Sequence, residues 1–121
     1  MTLFNLIEHS GRPTQQYYLP AEKRISGNPL QSLWLNYQDL SRAFSIGHWH
    51  SEVGKWSVQY TEEEYCQLLS GISVVTDEQG HSTRLQAGDV FVLSKGFSGT
   101  WEVVEPTLKR FVMYEPATAS V

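Results

Sequence analysis

From Leu33 to Tyr114 the chain alternates short apolar runs with breaks made of Gly, Pro, Asp and Asn. The runs are rich in Val, Trp, Tyr and Phe, and the breaks recur at intervals of roughly ten residues, the pattern of an all-β chain. Strands are expected at Leu33–Tyr37, Ala43–His50, Lys55–Tyr60, Tyr65–Leu69, Ile72–Thr76, Ser82–Leu85, Val90–Leu93, Thr100–Val104 and Lys109–Tyr114. Asp77-Glu78-Gln79-Gly80 closes a hairpin, with Gly80 free to take positive φ. Ala87-Gly88-Asp89 is a second tight reversal, and Pro106 is expected to separate the last two strands. Before Leu33, Pro13, Pro20, Pro29, Gly11 and Gly27 cut the chain into pieces too short for long helices. Edge strands or extended arms are expected there, around Leu3–Ile7 and Gln16–Leu19.

So many short antiparallel strands must close or sandwich to protect their edges. Period-two alternation then sets the inward side chains. Glu64, Cys66 and Leu68 share one face, and Gly99, Trp101 and Val103 share another. The expected organisation is a single domain: an N-terminal arm with edge strands over 1–32, a barrel over 33–115, and a frayed tail over 116–121.

Composition narrows the function classes. A chain of 121 residues fits one domain and can fold without a disulfide or metal. Four Trp, six Tyr and five Phe suit the wide interior of a barrel. The net charge is −4, and the nine Lys and Arg are scattered with no basic stripe, so nucleic acid is not an expected partner. The lone cysteine, Cys66, cannot form an internal disulfide and suits a reducing compartment. No secretory signal and no apolar run of membrane-spanning length is visible, so a soluble cytoplasmic protein is expected.

Several stretches resemble the cupin superfamily. Glu64-Tyr-Cys-Gln-Leu-Leu-Ser-Gly71 looks like the end of the first cupin motif, and Gly88-Asp-Val-Phe-Val-Leu-Ser-Lys-Gly96 like the start of the second, with Ser94 where Pro is usual. With Trp49, Gly54-Lys-Trp56, Phe97, Gly99-Thr-Trp101, Pro106 and Lys109, the order and spacing resemble the branch grouped around the cupin domain of ureidoglycine aminohydrolase. The resemblance covers about residues 45–115. It implies a jelly-roll barrel, often dimeric, with a ligand pocket at one mouth, and a homodimer is expected. It also implies a metal site whose ligands are mostly missing. The His-x-His positions fall on Val58 and Tyr60, or on Ser57 and Gln59, and the second-motif His position falls on Gly99. Of the four usual ligands only Glu64 survives, and one carboxylate does not hold a transition metal. No cofactor is therefore expected.

The candidate pocket comprises Trp49, His50, Tyr60, Glu64, Cys66 and Trp101, with Glu64 as a catalytic acid or base or an anchor for a ligand amine. The aromatic residues suit a flat or cationic ligand, so a small molecule bearing an amine or amide is the expected partner. Cys66 is read as a small apolar side chain, since nothing in the sequence places an activating base beside it. For Lys109 the partners open are Glu102 and an inward acid, and an exposed salt bridge is expected. Two alternatives stand beside this. In the first, His48 and His50, two apart on a strand and on the face of Phe44 and Ile46, join Glu64 to hold one divalent metal in an aminohydrolase-like enzyme. In the second, the barrel is a non-catalytic dimeric interaction module.

Overall fold

The computed structural model describes residues 3–116. Nine strands run in the order β1 (Gln15–Tyr17), β2 (Arg24–Ser26), β3 (Gln31–Gln38), β4 (Phe44–Ser51), β5 (Gly54–Gln59), β6 (Glu63–Asp77), β7 (Ser82–Gln86), β8 (Val90–Leu93) and β9 (Ser98–Tyr114), with one 3-10 turn at Ala21–Lys23. All pairings are antiparallel. One wall has the order β1-β3-β4-β9-β6-β8, and the other β2-β5-β9-β6-β7. The long strands β6 and β9 belong to both walls, so the sheet curls on itself into a jelly-roll barrel. No described helix is long and apolar enough to cross a membrane.

The bend occurs where four expected strands prove to be two. Tyr65–Leu69 and Ile72–Thr76 are one strand, β6. Thr100–Val104 and Lys109–Tyr114 are likewise one strand, β9, running through Pro106. The β6–β9 register slips between Leu68 and Ser73. Gly71 sits at that slip with φ +89°, against the Pro106 carbonyl. A proline has no N–H to give the ladder, so it is tolerated where the ladder is already broken by a bulge. Pro106 therefore marks a corner within a strand rather than a strand end.

At the N-terminus, Leu3–Ile7 forms no strand, because its apolar residues find no sheet edge: Leu3, Phe4 and Leu6 are all exposed. The arm becomes ordered at β1, which pairs β3 through Gln15↔Leu33 and Tyr17↔Gln31. An edge strand not expected from the sequence, β2, pairs β5. The expected frayed tail lies, from residue 117 onward, outside the described residues. The hairpin at Asp77–Gly80 forms as its residues require: Asp77 Oδ1 accepts from the Gln79 and His81 N–H groups, and Gly80 has φ +85°.

The core sits between the walls. Trp49 on β4 meets Trp56 on β5 and Trp101 on β9 edge to face, with centroids 6.0 Å and 5.4 Å apart. Leu68, Val103 and Phe111 are buried around them.

Candidate functional site

Alternation carries Glu64 and Cys66 of β6 and Thr107, Lys109, Phe111 and Met113 of β9 to the inside of the barrel. The registers Glu64↔Met113, Cys66↔Phe111 and Leu68↔Lys109 fix this arrangement. The salt bridge of Lys109 is not the exposed one expected. Lys109 is buried, and its Nζ donates to Glu64 Oε2 at 2.6 Å. The cause is its place in the inward row of β9, whereas Glu102 belongs to the part of that strand which pairs β5.

Three further groups complete the surroundings of this ion pair. The Cys66 S–H donates to the same Glu64 Oε2 at 3.0 Å. The ammonium lies over the rings of Trp49, 4.8 Å from the centroid, and Trp101, 4.7 Å away. Burial by itself would push the Lys109 pKa down. The charge of the facing Glu64 carboxylate, Tyr60, Cys66 and the hydrogen bond to Glu64 together outweigh it, so the ammonium is held above the ordinary lysine value. Burial pushes the Cys66 thiol up to about 12, with Lys109 opposing and Glu64 assisting. At neutral pH Cys66 is a protonated donor and not a nucleophile.

Both flanking indoles are fixed by hydrogen-bond relays. Trp49 Nε1–H donates to Gln31 Oε1 at 2.8 Å. The Gln31 amide donates to Ser51 Oγ and the Pro29 carbonyl, and Ser51 donates to the Glu52 carbonyl. Trp101 Nε1–H donates to Ser73 Oγ at 3.1 Å. Thr107 spends its proton on the Glu105 carbonyl, so Ser73 must donate to Thr107 Oγ1, 2.8 Å away. Each relay ends on a main-chain carbonyl, which leaves no free choice of ring orientation.

Above the pair opens a cavity of about 510 Å³. Of the candidate site residues, Trp49, Tyr60, Glu64 and Trp101 line it, and so do Tyr17 and Leu19 of the N-terminal arm, with Gln31 and Lys109. Tyr60 and Tyr17 both have raised pKa values, chiefly from burial, so both remain neutral phenols.

The other expected site residues lie elsewhere. Cys66 is buried behind Glu64 and does not line the cavity. His48 and His50 point outward, as do Phe44 and Ile46. On β4 the inward row is Ser45, Gly47, Trp49 and Ser51. The grouping of His48, His50 and Glu64 is therefore not formed, because the sheet itself separates the two imidazoles from the carboxylate. His48 instead stacks on His9, with centroids 4.5 Å apart. Asn36 donates to the Glu8 carbonyl, so its Oδ1 accepts from His48 Nδ1–H at 2.7 Å, and the buried Nε2 has no partner among the described residues. Burial, then His9 and Arg110, lowers the His48 pKa to about 4. The folded chain thus keeps His48 neutral where the unfolded chain protonates it, and stability falls as pH drops from 6.5 to about 4. In urea unfolding, His48→Phe is expected to flatten this acid slope by about 1.4 kcal/mol per pH unit. An unchanged slope would show that His48 does not set it.

Residues 39–111 match the family described as the EutQ-like cupin domain. The chain belongs to this family. Among solved structures, this cupin is similar to a putative ethanolamine utilization protein Q from Salmonella typhimurium LT2. That match has 20% identity and a TM-score of 0.63, and covers 73% of this chain and 71% of the other. A protein of unknown function of the DUF861 family from Pseudomonas syringae pv. tomato DC3000 matches at 20% identity with a TM-score of 0.79 over 88% of this chain. The cupin spans only 46% of that protein. A DUF861 family protein from Thermotoga maritima is 33% identical, with a TM-score of 0.52, over 53% of this chain and 73% of the other. No curated protein matches the chain.

The residues present in this cupin do not fit a resident metal. Where His ligands would be needed stand Val58, Tyr60 and Gly99. Val58 and Gly99 are register partners on one wall with no donor side chain between them. The surviving carboxylate, Glu64, already has an ammonium 2.6 Å away, and that charge repels a divalent cation. Among the described residues no three His, Cys, Asp or Glu side chains are grouped to hold an ion.

Sequence reasoning ranked the inward pairing of Lys109 second and missed Gln31, Tyr17 and the Ser73–Thr107 relay. The signal for Lys109 was the row Thr107, Lys109, Phe111, Met113, in which a cation alternates with residues that belong inside.

Proposed function

We propose that this cupin binds a small molecule inside its barrel, without a resident metal. The observation that carries this is the cavity of about 510 Å³, walled by aromatic rings and floored by a buried ion pair. That volume falls in the range of small-molecule sites, and an apolar lining with a few convergent polar groups is their usual character. The fixed indoles present a preformed surface, so little ordering cost opposes binding. The resemblance to ureidoglycine aminohydrolase supports a nitrogen compound as ligand. Its hydrolytic chemistry rests on metal ligands this chain lacks and is not part of the proposal. Neither thiol nor lysine supplies a nucleophile, since one is held protonated and the other charged.

A thermal-shift screen of small amides, amines and carboxylic acids tests the pocket. A true ligand at a hundredfold over its Kd adds about 2.7 kcal/mol, a rise of several degrees in Tm. The shift is expected to vanish in Ser45→Phe, which fills the cavity from the β4 wall. Equal shifts in both proteins, or none in a chemically broad screen, would remove the pocket as the functional site.

A further inference from the structure

We infer, on the basis of the pocket proposed above, that the site selects an uncharged ligand which donates an N–H or O–H to Glu64 Oε1. The electrostatics of the floor lead there. Glu64 and Lys109 are both deeply buried and neutralise each other, so the interior carries no net charge. The other charged lining residues, Lys23 and Glu62, stand nearer the solvent and have opposite signs.

Lys109 has no uncompensated charge to offer a ligand anion. One N–H goes to Glu64 Oε2, and the ammonium is flanked by the faces of Trp49 and Trp101. A ligand carboxylate would enter the desolvated space without a free cation to meet it. A ligand ammonium would compete with Lys109 for one carboxylate and bring a second positive charge beside the first.

One strong acceptor remains open. Lys109 and Cys66 both donate to Oε2, while Oε1 accepts no hydrogen bond among the described residues. The Tyr17 and Tyr60 rings line the same cavity and carry neutral hydroxyls able to donate to a carbonyl. A primary amide matches this set: its N–H meets Oε1 and its carbonyl meets a phenol.

Calorimetric titration with benzamide, benzoate and benzylammonium, which share one ring and differ in charge, tests the inference. Benzamide is expected to bind the native protein at least ~10-fold more tightly than either ion, the factor that about 1.4 kcal/mol of uncompensated charge produces. Glu64→Gln leaves the ammonium without its counter-ion and should gain affinity for benzoate. Lys109→Met leaves the carboxylate and should gain affinity for benzylammonium. Benzoate or benzylammonium binding the native protein as tightly as benzamide would overturn the ligand class while leaving the pocket standing. If either variant fails to fold, the native series decides alone. Absence of binding by all three probes to every folded protein would refute the pocket itself, and the ligand class with it.

Discussion

Lys109→Met is expected to destabilise the fold by about 3–5 kcal/mol, the range seen when one partner of a buried ion pair is removed. Methionine is unbranched, only one atom shorter, and packs well between indoles, so little of the loss comes from packing. The loss comes from the Glu64 carboxylate, 3% exposed, left with only the Cys66 S–H as a donor. The double variant Glu64→Leu/Lys109→Met removes both charges and should recover most of the stability, since a pair replaced by apolar groups is often neutral. Urea unfolding of the two singles and the double gives the interaction energy directly. Additive losses would show that the two charges do not act as a pair. The pH dependence has a definite sign. The folded Lys109 pKa lies above the ordinary 10.5, so from neutral pH up to 10.5 the ammonium's contribution is fully present, and it is lost only at higher pH. The gap between native and Lys109→Met proteins should therefore stay level from neutral pH to that limit.

Gly71→Ala is the second large effect, with an expected loss of at least ~3 kcal/mol or no soluble protein. Two penalties coincide there. The residue has φ +89°, a region alanine adopts only with strain. A Cβ would also overlap the Pro106 carbonyl oxygen and lie 2.7 Å from Thr107 Cα, both backbone atoms that cannot swing aside. Gly80→Ala is the control, because φ is similar, +85°, but nothing lies within 4 Å of its Cβ. A Gly71 variant no less stable than the Gly80 variant would mean that the corner is not tightly packed.

The two cases show what the sequence made legible. Strand positions between Leu33 and Tyr114 followed from composition and turn residues, because each strand buries one face and must alternate. The inward placement of Glu64, Trp101 and Val103 followed for the same reason. On β4 Trp49 and His50 were both expected at the pocket although neighbours on a strand face opposite ways, and the phase was hard to read because Ser45 and Gly47 inside and Ile46 and His48 outside reverse the usual polarity of a strand. Gly47 is inward because Phe111 presses against it, a tertiary fact with no local signature. Pro106 misled because a proline break and a proline bulge look alike until the partner strand is known. The Lys109–Glu64 pair joins residues 45 apart in sequence, and only the register of β6 against β9 brings them together.

The arm carries a kinetic consequence. Tyr17 and Leu19 complete the cavity wall, yet β1 that brings them there is three residues long and held along one side only. Short edge strands of this kind detach at a smaller free-energy cost than the long inner strands of the same domain. Entry and escape of the proposed ligand would then be timed by the peeling of β1. A sequence change at Gln16, on the face of β1 opposite to Tyr17 and bonded to Ser32 Oγ, would alter residence time and leave the chemistry of recognition untouched.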